Sequence, residues 1–283
     1  MTTSSLLTDQ LAVRPTTART FLAMMARELR VMRRNFASTF VRVLSQPLFF
    51  VFVFAYVLPK LGSADGGMFS GRGNGPTYST VLVPGLIGSS VVMQAMMAAV
   101  MPLMMELSWQ RSITERALAP LSIPLLGIQK TLAAGLQGLL GGLLVLPAVV
   151  FIHAEGQAPD IEIANWPLFL VVLVAGSLLA AATGLLMGTL ISPEKVQMLF
   201  TVVLLPMTML GCVYYSWSAM SSIAWLQILV LVNPMVYLSE GLRAALTPQI
   251  AHMPAALTVT VLVVGTLVVG WFGMRSFTRR VVA

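Results

Sequence analysis

Charge is what this sequence has least of. Of its 283 residues 57% are hydrophobic and only 10% charged, whereas a soluble domain carries roughly 25% charged residues to keep its surface hydrated. The length alone would allow one or two soluble domains, but the composition excludes them. Cys212 is the only cysteine, which excludes an intramolecular disulfide and argues against a thiolate metal site. The two histidines, His153 and His252, are far apart and lack ligand-spaced neighbours. None of Lys60, Lys130 and Lys195 follows a glycine, so the chain carries no GK[ST] phosphate-binding loop. HExxH, catalytic-triad and paired-carboxylate patterns are missing too. No cofactor is expected on the chain itself, and a nucleotide driving it has to sit on a partner.

What the chain does have is apolar sequence in blocks of about twenty residues, the span length that bilayer thickness sets. The blocks predict an all-α polytopic membrane protein whose six-span domain occupies 39–274, with spans at about 39–59, 78–104, 125–152, 166–191, 196–217 and 254–274. The apolar run Ile223–Val232 is too short to join them. As a helix it reaches roughly 15 Å, half a bilayer. The segment 219–250 therefore reads as an outer re-entrant element before the last span.

Ahead of the first span, Leu22, Met25, Leu29, Met32 and Phe36 share one face of a helix over 16–37, and Arg19, Arg27, Arg30 and Arg34 fall mostly on the rest of its surface. Such a helix lies in the membrane interface, held by anionic lipid head groups. Residues 1–15 are polar, lack the apolar core of a signal peptide, and are expected to be a disordered tail. The Gly-rich stretch 60–77 reads as an exposed loop.

The formal charge of +7 belongs to this layout and not to nucleic-acid binding, because the basic residues flank apolar blocks. Six spans with both termini cytoplasmic, including the tail 275–283, put 14 of the 17 basic residues inside and leave Lys60, Arg72 and Arg243 outside. A seventh span would move Arg275, Arg279 and Arg280 outside, against the positive-inside rule. The reading is a multi-pass protein of the cell membrane.

Candidate functional residues fall into three groups. On the cytoplasmic side, the loop 106–124 carries Glu106, Arg111 and Arg116, and Ser112 with Glu115 forms a capping box for a short charged helix. In the second span Met93, Met97, Met101 and Met105 recur every four residues, an adaptable apolar stripe suited either to packing or to a substrate path. On the outer side, Asn233 can cap a helix that has Pro234 in its first turn. Tyr237, Glu240 and Arg243 then follow at spacing three, close enough for Glu240 and Arg243 to pair. Small residues (Gly176, Ala180, Gly184 and Gly188; Gly138 and Gly142) form ladders that permit close helix contact. No carboxylate or histidine stands near mid-span, where a proton relay needs one. That favours a transporter powered by a partner, with an ion-driven secondary carrier and a membrane enzyme or scaffold as the alternatives.

The layout resembles the type-two ABC exporter permeases, which include daunorubicin-resistance-type drug exporters and exporters of polysaccharides and lipids. The resemblance spans about residues 16–280. Its most specific piece is the run from Asn233-Pro234 through Tyr237 and Glu240 to Arg243, similar to an NP..Y..E..R segment before the last span. Leu204-Leu205-Pro206 through Gly211, Tyr214 and Tyr215 resembles the fifth-span pattern, and Glu115-Arg116 with Pro120-Leu121-Ser122 resembles the loop that couples to the ATPase. Ser112-Ile113 depart from that loop, since family members often carry an acidic residue and a glycine there. The resemblance implies two permeases, identical or paralogous, with two separate cytoplasmic ABC ATPase subunits that hold ATP and magnesium. It also implies a substrate path between the permeases, lined by the first, second and fifth spans. Met93, Met97, Met101, Gly211, Tyr214 and Tyr215 are the candidates for that path.

Overall fold

In the computed structural model, residues 17–34, 41, 45, 48–57, 77–108, 122–152, 158–195, 198 and 200–282 are described, and no strand occurs among them. The tail 1–15, most of the loop 60–77, His153 and the coupling-loop residues Arg111, Ser112, Glu115 and Arg116 lie outside the described residues.

Among the described residues four helices are long and apolar enough to cross a membrane: α2 (Tyr78–Ser108), α3 (Ile123–Phe151), α4 (Trp166–Leu190) and α8 (Ala255–Val282). A fifth crossing follows only if a bent pair, bent by 100°, is counted as one span. That pair is α6 (Ala224–Leu229) with its 3-10 extension to Val232, and α7 (Pro234–Leu246). Of the predicted first span, 48–51 are helical and continue into a π-helical stretch, Phe52–Val57. The N-terminal helix α1 (Thr17–Arg34) buries none of its residues, and Met24 rests against a small cluster of Leu103, Leu126, Leu185 and Phe277. Leu22 and Leu29 of its apolar face stay exposed.

The sequence reading of 196–217 as one continuous fifth helix needs correction. The chain runs as a π-helical stretch, Phe200–Leu204, then a short α5 (Leu205–Met209), and then leaves helix entirely through 210–216. Pro206 has no amide hydrogen to give the ladder. Cys212 takes a positive φ of 53°, a region that only glycine and a few others enter easily. The carbonyl of Met207 is instead claimed by Asn233, whose Nδ2 donates to it at 2.7 Å.

Helices α2 and α4 form the centre, and α3, α7 and α8 pack around them. The small-residue ladders serve this packing within the chain. A Cβ added to Gly184 would lie 2.8 Å from the Ala99 Cβ and 2.9 Å from the Met96 carbonyl oxygen, and one on Gly138 would lie 2.7 Å from the Ala95 Cβ. Glycine here lets the backbones approach to a distance no larger residue allows, which is how helices associate where water offers no hydrophobic drive. At one end of the bundle, Asp160 N donates to Thr80 Oγ1 at 3.0 Å, Glu162 N to Leu246 O at 3.1 Å and Gln249 Nε2 to Asp160 O at 3.0 Å. These bonds tie 158–165 to the start of α2 and the end of α7. At the other end Lys130 pairs with Glu106 at 2.5 Å, and Arg280 bonds the carbonyls of Thr189 and Ile191.

Candidate functional site

Helix α7 starts as its sequence dictates. Asn233 accepts from Met235 N through Oδ1 at 3.0 Å, with Pro234 in the first turn. From there the helix enters the core. Within the segment 219–250, which the sequence reading put on the outer side of the membrane, α7 is enclosed by protein: Met235, Val236 and Leu238 through Leu246 are all buried. Gly241 allows this, since a Cβ there would meet Val172 of α4 at 2.9 Å and Thr258 of α8 at 3.3 Å. The preceding limb differs, with Trp225, Ile228 and Val232 largely exposed.

On α7, Glu240 and Arg243 form an ion pair in which both side chains are fully buried. Glu240 Oε1 also accepts from Trp217 N at 2.9 Å, and its Oε2 accepts from Met253 N at 3.0 Å. Arg243 Nη2 donates to the carbonyls of Cys212 at 3.1 Å, Tyr215 at 3.4 Å and Val81 at 3.4 Å. Arg243 Nε has no partner among the described residues. The two side chains therefore bond backbone from three places: the break after α5, the start of α2 and the connection before α8. Two opposite charges within bonding range, each with further backbone partners, is the arrangement under which buried charge is tolerated. Tyr237, the third member of the spaced set, turns elsewhere and donates its hydroxyl to Leu231 O at 2.9 Å, closing the bend. Sequence reasoning missed Trp217, Gln227 and Met253. Trp217 Nε1 donates to Gln227 O at 3.1 Å, and Gln227 Nε2 donates back to Trp217 O at 3.3 Å. A backbone amide that serves as a ligand leaves no sequence signature.

A separate cavity of about 140 Å³ is bounded by Phe50 of the first apolar block, Met93 and Gln94 of α2, and Leu204, Thr208 and Tyr214 of the broken segment. The Phe50 and Tyr214 rings meet at 6.1 Å between centroids. Of the residues picked for a substrate path, Met93 and Tyr214 line this cavity and the others do not. Met97 is half-buried, and Met101 is 40% exposed. Gly211 is buried against Met235, and Tyr215 donates its hydroxyl to Met209 O at 3.1 Å. Of the coupling-loop candidates, Glu106 alone is described, and it is the partner of Lys130. Among the described residues no group of His, Cys, Asp or Glu could hold a metal ion.

Long apolar helices packed around a buried ion pair define a multi-pass α-helical membrane protein. Residues 19–247 match the ABC-2 type transporter family. The chain is 30% identical over 242 residues to the inner membrane transport permease YadH of Escherichia coli strain K12, an alignment covering 84% of this chain and 87% of that one. The Shigella flexneri permease of the same name matches to the same extent. The chain belongs to the ABC-2 type transporter family, and is a multi-pass inner-membrane transport subunit of the kind that works with an ATPase subunit.

Proposed function

We propose that the chain is the membrane half of an ATP-driven exporter, moving an amphipathic or lipophilic substrate such as a drug, lipid or glycoconjugate outward. One observation carries this reading: among the described residues the buried charged side chains are Glu106, Glu240 and Arg243, and each stands in an ion pair, which leaves no unpaired buried carboxylate among them for a proton or cation relay. The energy then comes from outside the chain. ATP and Mg²⁺ sit on two separate ATPase subunits, which engage the cytoplasmic loop 106–124 and α1. Both termini are cytoplasmic, the chain crosses six times, and the bent pair α6–α7 is a re-entrant element on the outer side. Two permeases, identical or paralogous, enclose the path, and ATP-driven closure shifts the pair between two states.

Purification of the tagged chain in mild detergent tests this directly. A co-purifying ATPase with a phosphate-binding loop is expected, and its hydrolysis in proteoliposomes should rise when amphiphiles are added. Uptake or release driven by a pH or sodium gradient without ATP would sink the proposal.

A further inference from the structure

The serine and threonine hydroxyls around the cavity have committed their protons to the backbone. Ser89 and Ser90 both donate to Leu86 O at 2.9 Å, and Thr208 donates to Leu204 O and Leu205 O at 3.0 Å each. A hydroxyl has one proton and two lone pairs, so a serine or threonine bonded back to its own helix can offer a ligand only acceptors. All three residues line the cavity. Among the described residues the rest of the lining is apolar apart from the Gln94 carboxamide and Tyr214, and none of them is Asp, Glu, Lys, Arg or His.

We infer that this cavity takes the head of an uncharged amphiphile that donates hydrogen bonds, such as a polyol or a secondary amide, and rejects anionic heads. The inference rests on the exporter reading for the ligand's role as cargo, but the recognition chemistry stands on the cavity alone. Beside three oxygen acceptors and with no cation in the described lining, the Gln94 carboxamide and Tyr214 are too few donors to replace the hydration of a carboxylate or phosphate, and removing such an ion from water without full compensation is costly. An ammonium head gains the acceptors but finds no counter-charge. A hydroxyl or amide N–H replaces its water partners one for one, while Phe50, Met93 and Leu204 cover the adjoining apolar portion. The Gln94 carboxamide both donates and accepts. It can therefore take the lone pairs of the same hydroxyl head.

The test uses the full chain with its co-purified partners, in nanodiscs of phosphatidylcholine. Binding of 1-O-dodecylglycerol, its dimethyl ether and dodecanoate is measured by displacement of labelled 1-O-dodecylglycerol, and each ligand is assayed separately for stimulation of ATP hydrolysis. The glycerol ether should bind more tightly than its dimethyl ether by roughly 3- to 10-fold per hydrogen bond lost, and dodecanoate should bind weakest. Ser89→Ala combined with Thr208→Val should narrow the gap between the glycerol ether and the dimethyl ether, leaving dimethyl ether binding within about 2-fold, since only acceptors have been removed. Dodecanoate binding as tightly as the glycerol ether would overturn the inference, as would an unchanged gap in the double variant or no displacement by any of the three. The stated binding order without stimulation of ATP hydrolysis would uphold the recognition chemistry and remove the exporter reading.

Discussion

The Glu240–Arg243 pair allows a prediction in which the order of effects matters more than their size. Methionine replaces either side chain at similar length and without charge. In Arg243→Met, Glu240 loses its ion partner but keeps the amides of Trp217 and Met253. In Glu240→Met, Arg243 keeps its carbonyl acceptors, while those two amides lose their only acceptor shown in the structure. Breaking a buried pair by removing one partner costs about 3–5 kcal/mol. Each buried amide left unpaired adds about 1–3 kcal/mol. Glu240→Met is therefore the more damaging change, and the double variant should cost clearly less than the two single costs added together, because it leaves no lone charge. With roughly 2–4 °C of melting temperature per kcal/mol for a chain of this size, each single variant should fall on the order of 10 °C. Fluorescence-detected size-exclusion chromatography after a heating series, on detergent-purified protein, reads the ranking. A larger drop for Arg243→Met than for Glu240→Met would refute the reasoning, and so would strict additivity.

Three further outcomes are expected. Gly184→Leu should wedge α4 from α2 and lower the melting temperature by several degrees, on the usual cost of about 1–3 kcal/mol for overpacking, whereas Gly270→Ala, with nothing within 4 Å of an added Cβ, should leave it unchanged. Charge reversal at Glu106 or Lys130 alone should weaken substrate-stimulated ATP hydrolysis, and the double reversal should recover most of it; equal activity in all three variants would show that the pair does not fix the helices flanking the loop. Reporter fusions after Ala283 and within 60–77 should report opposite sides of the membrane, and an external C-terminus would end the six-span topology.

Much of the fold was legible because a bilayer imposes simple rules. Span length and apolar periodicity locate α2, α3, α4 and the start of α8 to within a few residues of the structure, while α8 continues past the expected end at 274 to Val282; a lipid-embedded backbone has few alternatives to a long helix. The local chemistry of Asn233-Pro234 was equally readable, because capping and proline placement depend on neighbours in sequence. The break after Met209 was not. Its 196–217 window is as apolar as a span, and besides Pro206 within it the break involves the side chain of Asn233, reaching back 26 residues to the Met207 carbonyl.

The site shows the same division between local and distant causes. Spacing of three on a helix predicted that Glu240 and Arg243 could meet, and they do. The same spacing grouped Tyr237 with them, yet its hydroxyl goes to Leu231, because the helix begins at a sharp bend and the first turn faces the limb before it. Charge bookkeeping put the pair on the outer side of the membrane but gave no depth within the bundle, and the structure encloses it. The reason is that Gly241 removes the side chain that would have held α7 away from α4 and α8. A glycine's absent side chain leaves no mark in a charge or hydropathy profile. It therefore decides where a charged pair sits without revealing that it has done so, and only the packed neighbours (Val172 on one side and Thr258 on the other) disclose its effect.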